Sequence, residues 1–450
     1  MRLLLVLPLL VVAGCSIGRA PDTAVAPLDA GQTFAGGRIE SVTPGRVHRV
    51  TTAVPFPRGL AILDGKLAVL ARGRVRESGG TDAAIDDQAG TIFLVDPDIS
   101  EPIGGDAVSE PVRANGAVVA APTEPPFKLF DRAANPPARD RETDRPYCGL
   151  RYDPATQNFF LCAFSGIDKP EGKGSVFSKN LSDGVHRFDM RTKQWHVVEK
   201  HDIEKGGIYP HHDVTSFPPP HGWLNGPNNC LVVGTWLYAV AKDNSLMTRY
   251  DLRQIAADPS APAPVSEWIL GEEIHLTNFQ AGGASVPLKP RSQVNAPTRL
   301  LGHSMLAYHD GYLYIGYRTS SAIVRIAMSP DGEIARPIVG EVVALFDPFN
   351  PATRKSANLT DMAFGPDGDL YVISAQPSRV YRFRPNPQVI FDGRTGASPP
   401  WADLAVLTSN PKMKSENVLV DARGRVFVTS GDAYAYQAGS GGTVYRIDPR

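Results

Sequence analysis

Cysteine is scarce in this chain: four residues in 450. None is spaced to build a zinc cluster or to attach haem. No glycine loop stands between a strand-like and a helix-like run, where it would cradle a phosphate. Gly439-Ser440-Gly441-Gly442 is glycine-rich but falls inside a hairpin. Neither sign of charge dominates, with 46 Lys and Arg against 47 Asp and Glu. That balance removes any electrostatic case for nucleic acid or for an acidic substrate. The apolar run from Leu3 to Val12 is too short to span a bilayer as a helix. What is plentiful is Gly and Pro, 42 and 40 residues, the punctuation of short strands and tight turns.

The stretch from Asn358 to Phe383 shows the organising unit. Met362-Ala363-Phe364 is a strand, Gly365-Pro366-Asp367-Gly368 a tight turn, Leu370-Tyr371-Val372-Ile373 a second strand. Arg379-Val380-Tyr381-Arg382-Phe383 alternates with period two and makes a third. Five further copies occur, with first strands opening at Leu60, Leu150, Leu231, Leu306 and Val418. Six such units, each with room for a fourth strand, predict an all-β protein folded as a six-bladed β-propeller. A β-sandwich with similar turns would not explain six copies of one pattern. The last unit ends in Thr443-Val444-Tyr445-Arg446-Ile447, its third strand. Its fourth must come from elsewhere, and the alternating Gly37-Arg38-Ile39-Glu40-Ser41-Val42 is predicted to pair outside Tyr445 and close the ring.

The turns between first and second strands are short throughout. The long segments are assigned to the opposite face of the disc: Arg72–Gly90 and Phe164–Asp183 between second and third strands, and Asp98–Pro146, Lys200–Pro227 and Arg253–Gly302 as connections to the next blade, each with a fourth strand expected inside it. Insertions on one face of a repeat protein usually mark its binding face. The innermost strands begin at that face. Aligning them places Arg58-Gly59, Cys148-Gly149, Asn229-Cys230, Ser304-Met305, Thr360-Asp361 and Glu416-Asn417 in a ring, with Tyr147, Asn228 and His303 one position further out. Arg58, Tyr147, Asn228 and His303 are thereby candidate ligand contacts. Asn229, Asp361 and Glu416 are candidate oxygen ligands for Ca²⁺ or another divalent cation. The other reading is that these groups cap strand ends, with Arg58 pairing Glu416 or Asp361.

His201, His211, His212 and His221 cluster in one proline-rich insertion. Solvent-exposed loop residues would explain them, and so would a metal or general-base role for His212. Cys148 and Cys162 flank a hairpin turn. A disulfide between them and a pair of buried thiols are both open, and Cys230 reads as a small core residue.

Arg2, the apolar run and Val12-Ala13-Gly14-Cys15 resemble a bacterial lipobox, in which cleavage before the cysteine leaves it to carry lipid. An ordinary secretory signal is the alternative. By the resemblance, residues 1–14 are a signal peptide and Cys15 is the lipidated residue. Ser16 after it leans towards the outer membrane, on the periplasmic side. Residues 15–37 read as a tether without periodicity, and residues 38–450 as the propeller.

The unit from Asp361 to Phe383 resembles the NHL and senescence-marker/gluconolactonase propellers, which share a six-bladed TolB-like architecture. Asn228-Asn229-Cys230-Leu231-Val232-Val233-Gly234 is similar to the segment of paraoxonase-type lactonases whose Asn and Asp bind a central calcium, Asn229 standing for the Asp. Ser415-Glu416 resembles the Ser-Glu pair that supplies a metal-ligating Glu in gluconolactonases, although there it lies in the first blade. The second Asn-Gly-Leu blade motif of those enzymes is absent. The general-base His of the paraoxonase-type enzymes has no counterpart at a matching distance. The expectation is an envelope lipoprotein that binds a small-molecule ligand or a partner protein on its long-loop face. One alternative is a metal-dependent lactonase or esterase, with His303 or His212 as base. Another is a quinoprotein-like oxidoreductase.

Overall fold

The computed structural model describes residues 42–43, 46–54, 57–71, 91–103, 115–120, 147–163, 166–168, 175–177, 184–200, 227–241, 246–257, 267–270, 273–278, 280–281, 284–285, 303–317, 322–346, 359–375, 377–385, 400–408, 413–431 and 442–449. Six antiparallel sheets follow one another along the chain. Blade 1 is Pro57–Leu63, Lys66–Ala71, Ile92–Val95 and Ala117–Ala120. Blade 2 is Tyr147–Asp153, Asn158–Ala163, Gly184–Asp189 and Gln194–Lys200. Blade 3 is Pro227–Val233, Trp236–Ala241, Leu246–Asp251 and Glu267–Leu270. Blade 4 is His303–His309, Tyr312–Tyr317, Ala322–Ala327 and Val339–Leu345. Blade 5 is Leu359–Phe364, Leu370–Ser374, Arg379–Phe383 and Ala402–Asp403. Blade 6 supplies Lys414–Val420, Val426–Gly431 and Thr443–Ile447. Each first strand packs on the first strand of the next blade, and that of blade 6 on that of blade 1. The fold is a closed six-bladed β-propeller.

The tight turns explain themselves locally. Asp64-Gly65 and Asp310-Gly311 both have positive φ at each residue, 50° and 76°, then 49° and 77°. This is the two-residue hairpin turn whose twist matches its strands, and Asp-Gly tolerates it. Between the blades, buried apolar side chains of the described residues form six clusters, each shared by two neighbouring sheets. Leu150, Phe159 and Leu161 of blade 2, for example, meet Ala61, Leu70 and Ile92 of blade 1. The cluster that joins blade 6 to blade 1 contains Phe427, Val444, Leu60, Leu67 and Val69. Hydrophobic burial therefore runs around the ring without a gap.

The ring is closed by an N-terminal strand, but not by the predicted one. Val47–Thr51 is the fourth strand of blade 6, with Arg49 opposite Tyr445 and Val47 opposite Ile447. Val47 and Val50 are fully buried, about 1.5–3 kcal/mol each. Val42 lies upstream, its N–H donating to the Trp401 carbonyl at 2.7 Å. Residues 37–41 lie outside the described residues. The pairing strand instead carries three β-branched residues, Val47, Val50 and Thr51, all fully buried. The short strand Glu101–Pro102 then covers the outer edge of Val47–Thr51. His275–Leu276 does the same, in parallel, for blade 4.

The assignment of every long segment to one face also needs correction. Ala117–Ala120 and Glu267–Leu270 are the fourth strands of blades 1 and 3. Residues 96–116 and 252–266 therefore join third to fourth strands, at the tight-turn end. Residues 72–91, 164–183, 121–146, 201–226 and 271–302 leave from the other end, as expected. The segment Phe164–Asp183 contains a small hairpin, Gly166–Asp168 with Ser175–Phe177.

Candidate functional site

Every innermost strand carries a break in its ladder near its start. Pairing with the second strand skips between Pro57 and Gly59, Cys148 and Leu150, Pro227 and Asn229, His303 and Met305, Leu359 and Asp361, and Ser415 and Val418. A bulge adds a residue to one strand and re-aims its side chains. Six bulges at one level turn the start of each first strand towards the axis. These are the positions that alignment of the repeats had placed in a ring.

Asp361 is the centre of that ring, with its side chain fully buried. Its Oδ1 accepts from Asn229 Nδ2 at 2.9 Å. Its Oδ2 accepts from Asn417 Nδ2 at 3.0 Å and from the Val418 backbone N–H at 3.2 Å. An Arg151 guanidinium nitrogen stands 3.6 Å from Oδ1. Blades 2, 3, 5 and 6 thus meet at one carboxylate. Beside it, Arg58 of blade 1 pairs with Glu416 of blade 6 at 3.1 Å, with the two side chains 11% and 3% exposed. Thr360 Oγ1 donates to the Ser415 carbonyl at 3.2 Å, and Ser415 and Ser378 share a hydrogen bond between their hydroxyls. Gly149 makes room for Asn229. Its φ is +59°, and an added Cβ would stand 3.0 Å from Asn229 Cα and 3.1 Å from Asn229 Oδ1. Only glycine meets both conditions comfortably.

The structure brings together Arg58, Asn229, Asp361 and Glu416 of the predicted site residues. Arg58 takes Glu416 rather than Asp361. Asn228 lies on the blade 3 bulge and is half-buried. Tyr147 and His303 open the first strands of blades 2 and 4, but their side chains lie outside the described residues, as do Cys15, His212 and the rest of the histidine cluster. Cys148 and Cys162 stand directly opposite each other in the blade 2 ladder. Opposed Cα atoms in such a pair are about 4.5–5.5 Å apart, within the range a disulfide spans. The Cys148 side chain lies outside the described residues, and Cys162 is buried.

Two contributors were missed. Arg151 sits in an ordinary alternation, Leu150-Arg151-Tyr152, two positions beyond the ring. A charged residue in an innermost strand was the available signal. Asn417 belonged to the ring but not to the proposed ligand set.

A calcium ion is what the resemblance implies here. Oxygen donors are present, but the arrangement does not fit one. Both Asp361 oxygens accept N–H donors, each carboxylate has a guanidinium beside it, and both asparagines turn nitrogen, not oxygen, towards Asp361. Among the described residues no group of three or more His, Cys, Asp or Glu could hold a metal. With two guanidinium groups and two carboxylates, the cluster balances its own charge.

No protein-family model matches the chain, and no curated protein matches it in sequence. Among solved structures, an aldose sugar dehydrogenase from Streptomyces coelicolor in its PQQ-bound form is 12% identical with a TM-score of 0.42, over 90% of this chain and 99% of that one. A putative oxidoreductase (glucose dehydrogenase) from Thermus thermophilus is 16% identical with a TM-score of 0.39, over 89% and 99%. A gluconolactonase from Xanthomonas campestris is 13% identical with a TM-score of 0.36, over 89% and 88%. These likenesses are remote and carry no argument about chemistry. The fold rests on the sheet order and its closure.

Proposed function

We propose that this propeller is a non-catalytic binding protein of the bacterial envelope. On this reading it is held to the membrane by lipid on Cys15 and takes a ligand or partner protein over the channel mouth. The observation that carries the reading is the state of the polar cluster there. Asp361 and Glu416 are both committed to partners on other blades, so neither carboxylate is poised as a general base. Support also comes from the connections at that end. Residues 72–91, 121–146, 164–183, 201–226 and 271–302 all leave the sheets beside the mouth, where loops on a rigid scaffold commonly bind.

The test places a photo-crosslinking amino acid at His212, in a mouth-side connection, and separately at Asp310, in a tight turn on the opposite face. It is run in the cells that make the protein. A discrete adduct from position 212 and none from 310 is expected. Adducts from 310 alone would contradict the reading. So would turnover of simple lactones or aryl esters that is lost in His303→Ala or His212→Ala. The anchoring is checked apart from this: Cys15→Ala and globomycin should each block processing and membrane association.

A further inference from the structure

The oxygen-rich ring at the channel mouth and the two arginines beside it come from different blades, so no local sequence effect groups them. Blades 3, 5 and 6 supply Asn229, Asp361, Glu416 and Asn417. Blades 1 and 2 supply Arg58 and Arg151. Asp361 and Glu416 are buried, and buried carboxylates persist ionised only beside compensating charge or hydrogen-bond donors. Here both kinds are present, guanidinium groups beside each carboxylate and N–H donors on both oxygens of Asp361. Asn229 and Asn417 each give Asp361 an N–H, and their carbonyl oxygens are buried without a hydrogen-bond partner.

We infer that the channel mouth is a cation site filled by the chain itself, with the guanidinium groups of Arg58 and Arg151 doing what a bound metal ion would otherwise do. The positive charge is then tethered to blades 1 and 2 and cannot be chelated away. The ring is cross-braced through side chains at every ionic condition. Removing the arginines would leave two carboxylates beside two amides whose rotation would turn their oxygens inwards, a set of the kind that binds Ca²⁺. This inference does not depend on what docks over the mouth, and its failure would be read from melting curves rather than from crosslinks.

The experiment compares melting temperatures in EDTA and in millimolar calcium. The wild type should melt at the same temperature in both. The double variant Arg58→Gln/Arg151→Gln should melt lower than the wild type in EDTA. Calcium should raise it saturably by mass action, and adding Asp361→Asn should remove the response. Arg58→Lys/Arg151→Lys, which keeps the charge, should be blind to calcium. Should the double Gln variant fail to fold under both conditions, the single Gln variants are compared in the same way, each expected to gain a smaller calcium response. A saturable calcium effect on the wild type would overturn the inference. Gln variants as stable as the wild type, or blind to calcium, would overturn it equally.

Discussion

Two sets of arginines in this propeller behave differently. One set repeats from blade to blade. Arg249, Arg325 and Arg382 lie on third strands and stack over an aromatic of the second strand, 4.1 Å from Trp236, 4.0 Å from Tyr312 and 5.4 Å from Tyr371. Each also pairs with a carboxylate of its own blade: Glu267 at 3.2 Å, Glu341 at 2.7 Å and Asp369 at 2.9 Å. The other set does not repeat. Arg58 and Arg151 sit on first strands, and each reaches a carboxylate on another blade, from blade 1 to blade 6 and from blade 2 to blade 5. The repeated arginines serve their own unit first, although Arg249 also reaches Glu333 of blade 4 at 3.7 Å. The unrepeated ones join units, and they lie where the ring can only be one way round. In a molecule built from copies, departures from the copy are where ring-specific work is concentrated.

The comparison can be broken most forcefully by opening the ring. A chain lacking residues through Thr51 loses the fourth strand of blade 6 and the buried Val47 and Val50. It should lose several kcal/mol of stability, about 1.5–3 for each valine before the edge is counted, while a chain lacking residues only through Ser41 should unfold like the full protein. Denaturant titration distinguishes the two, and equal midpoints would refute the closure.

Next in size is a side-chain contrast. Asp361→Ala strands Asn229, Asn417 and the Val418 N–H and leaves Arg151 without its carboxylate. Breaking a buried charged network in this way costs about 3–5 kcal/mol. Arg325→Met removes a stacked, partly solvated pair and should cost about 1 kcal/mol or less. If urea unfolding gave the two variants similar losses, the distinction between joining and repeated arginines would fall.

The smallest effect is on pH dependence. Burial, with Arg446 beside it, holds His48 on the closing strand below its ordinary value, against the opposing pull of Asp448. Its Nε2 is 3.2 Å from Asp448 Oδ2, and Ser100 Oγ faces its Nδ1 at 3.4 Å. Burial and Arg187 act likewise on His196, with Asp189 opposing. A base whose pKa falls on folding is protonated first in the unfolded chain. Stability should therefore decline as pH drops below about 6.5, levelling off under the folded values. His48→Gln should flatten part of that slope in melting experiments between neutral and mildly acidic buffer. An unchanged slope would count against it.

Much of this was legible from the chain alone, because the fold is written in short-range terms. Asp64-Gly65 and Asp310-Gly311 announce their turns, and alternation in Arg379–Phe383 announces a strand whose partners must be copies of itself. The level of the ring followed from aligning Leu60, Leu150, Leu231, Leu306, Met362 and Val418. Long-range choices were less visible. Gly37–Val42 alternates, whereas Val47–Thr51 reads Val-His-Arg-Val-Thr with a bulge and no period of two, so alternation pointed to the wrong stretch. A fourth strand was expected inside those connections, but Ala117–Ala120 and Glu267–Leu270 are too short to locate, so the residues that precede them were put on the wrong face. Arg151 looked like any strand residue because its partner, Asp361, lies in a different blade, far along the chain. The pairing of Arg58 with Glu416 was foreseen only as one of two options, since residue type alone does not say which carboxylate a guanidinium reaches.

The central claim is that unrepeated arginines brace the ring across blades, and a double-mutant cycle on Arg58 and Glu416 tests it most directly. Arg58→Met, Glu416→Gln and the double variant are compared with the wild type by urea unfolding. Contacting charges that are well removed from solvent couple by about 1.5 kcal/mol or more, and a coupling of that size is expected here. A coupling under about 0.5 kcal/mol, the level at which distant sites simply add, would mean that the pair does not brace the ring.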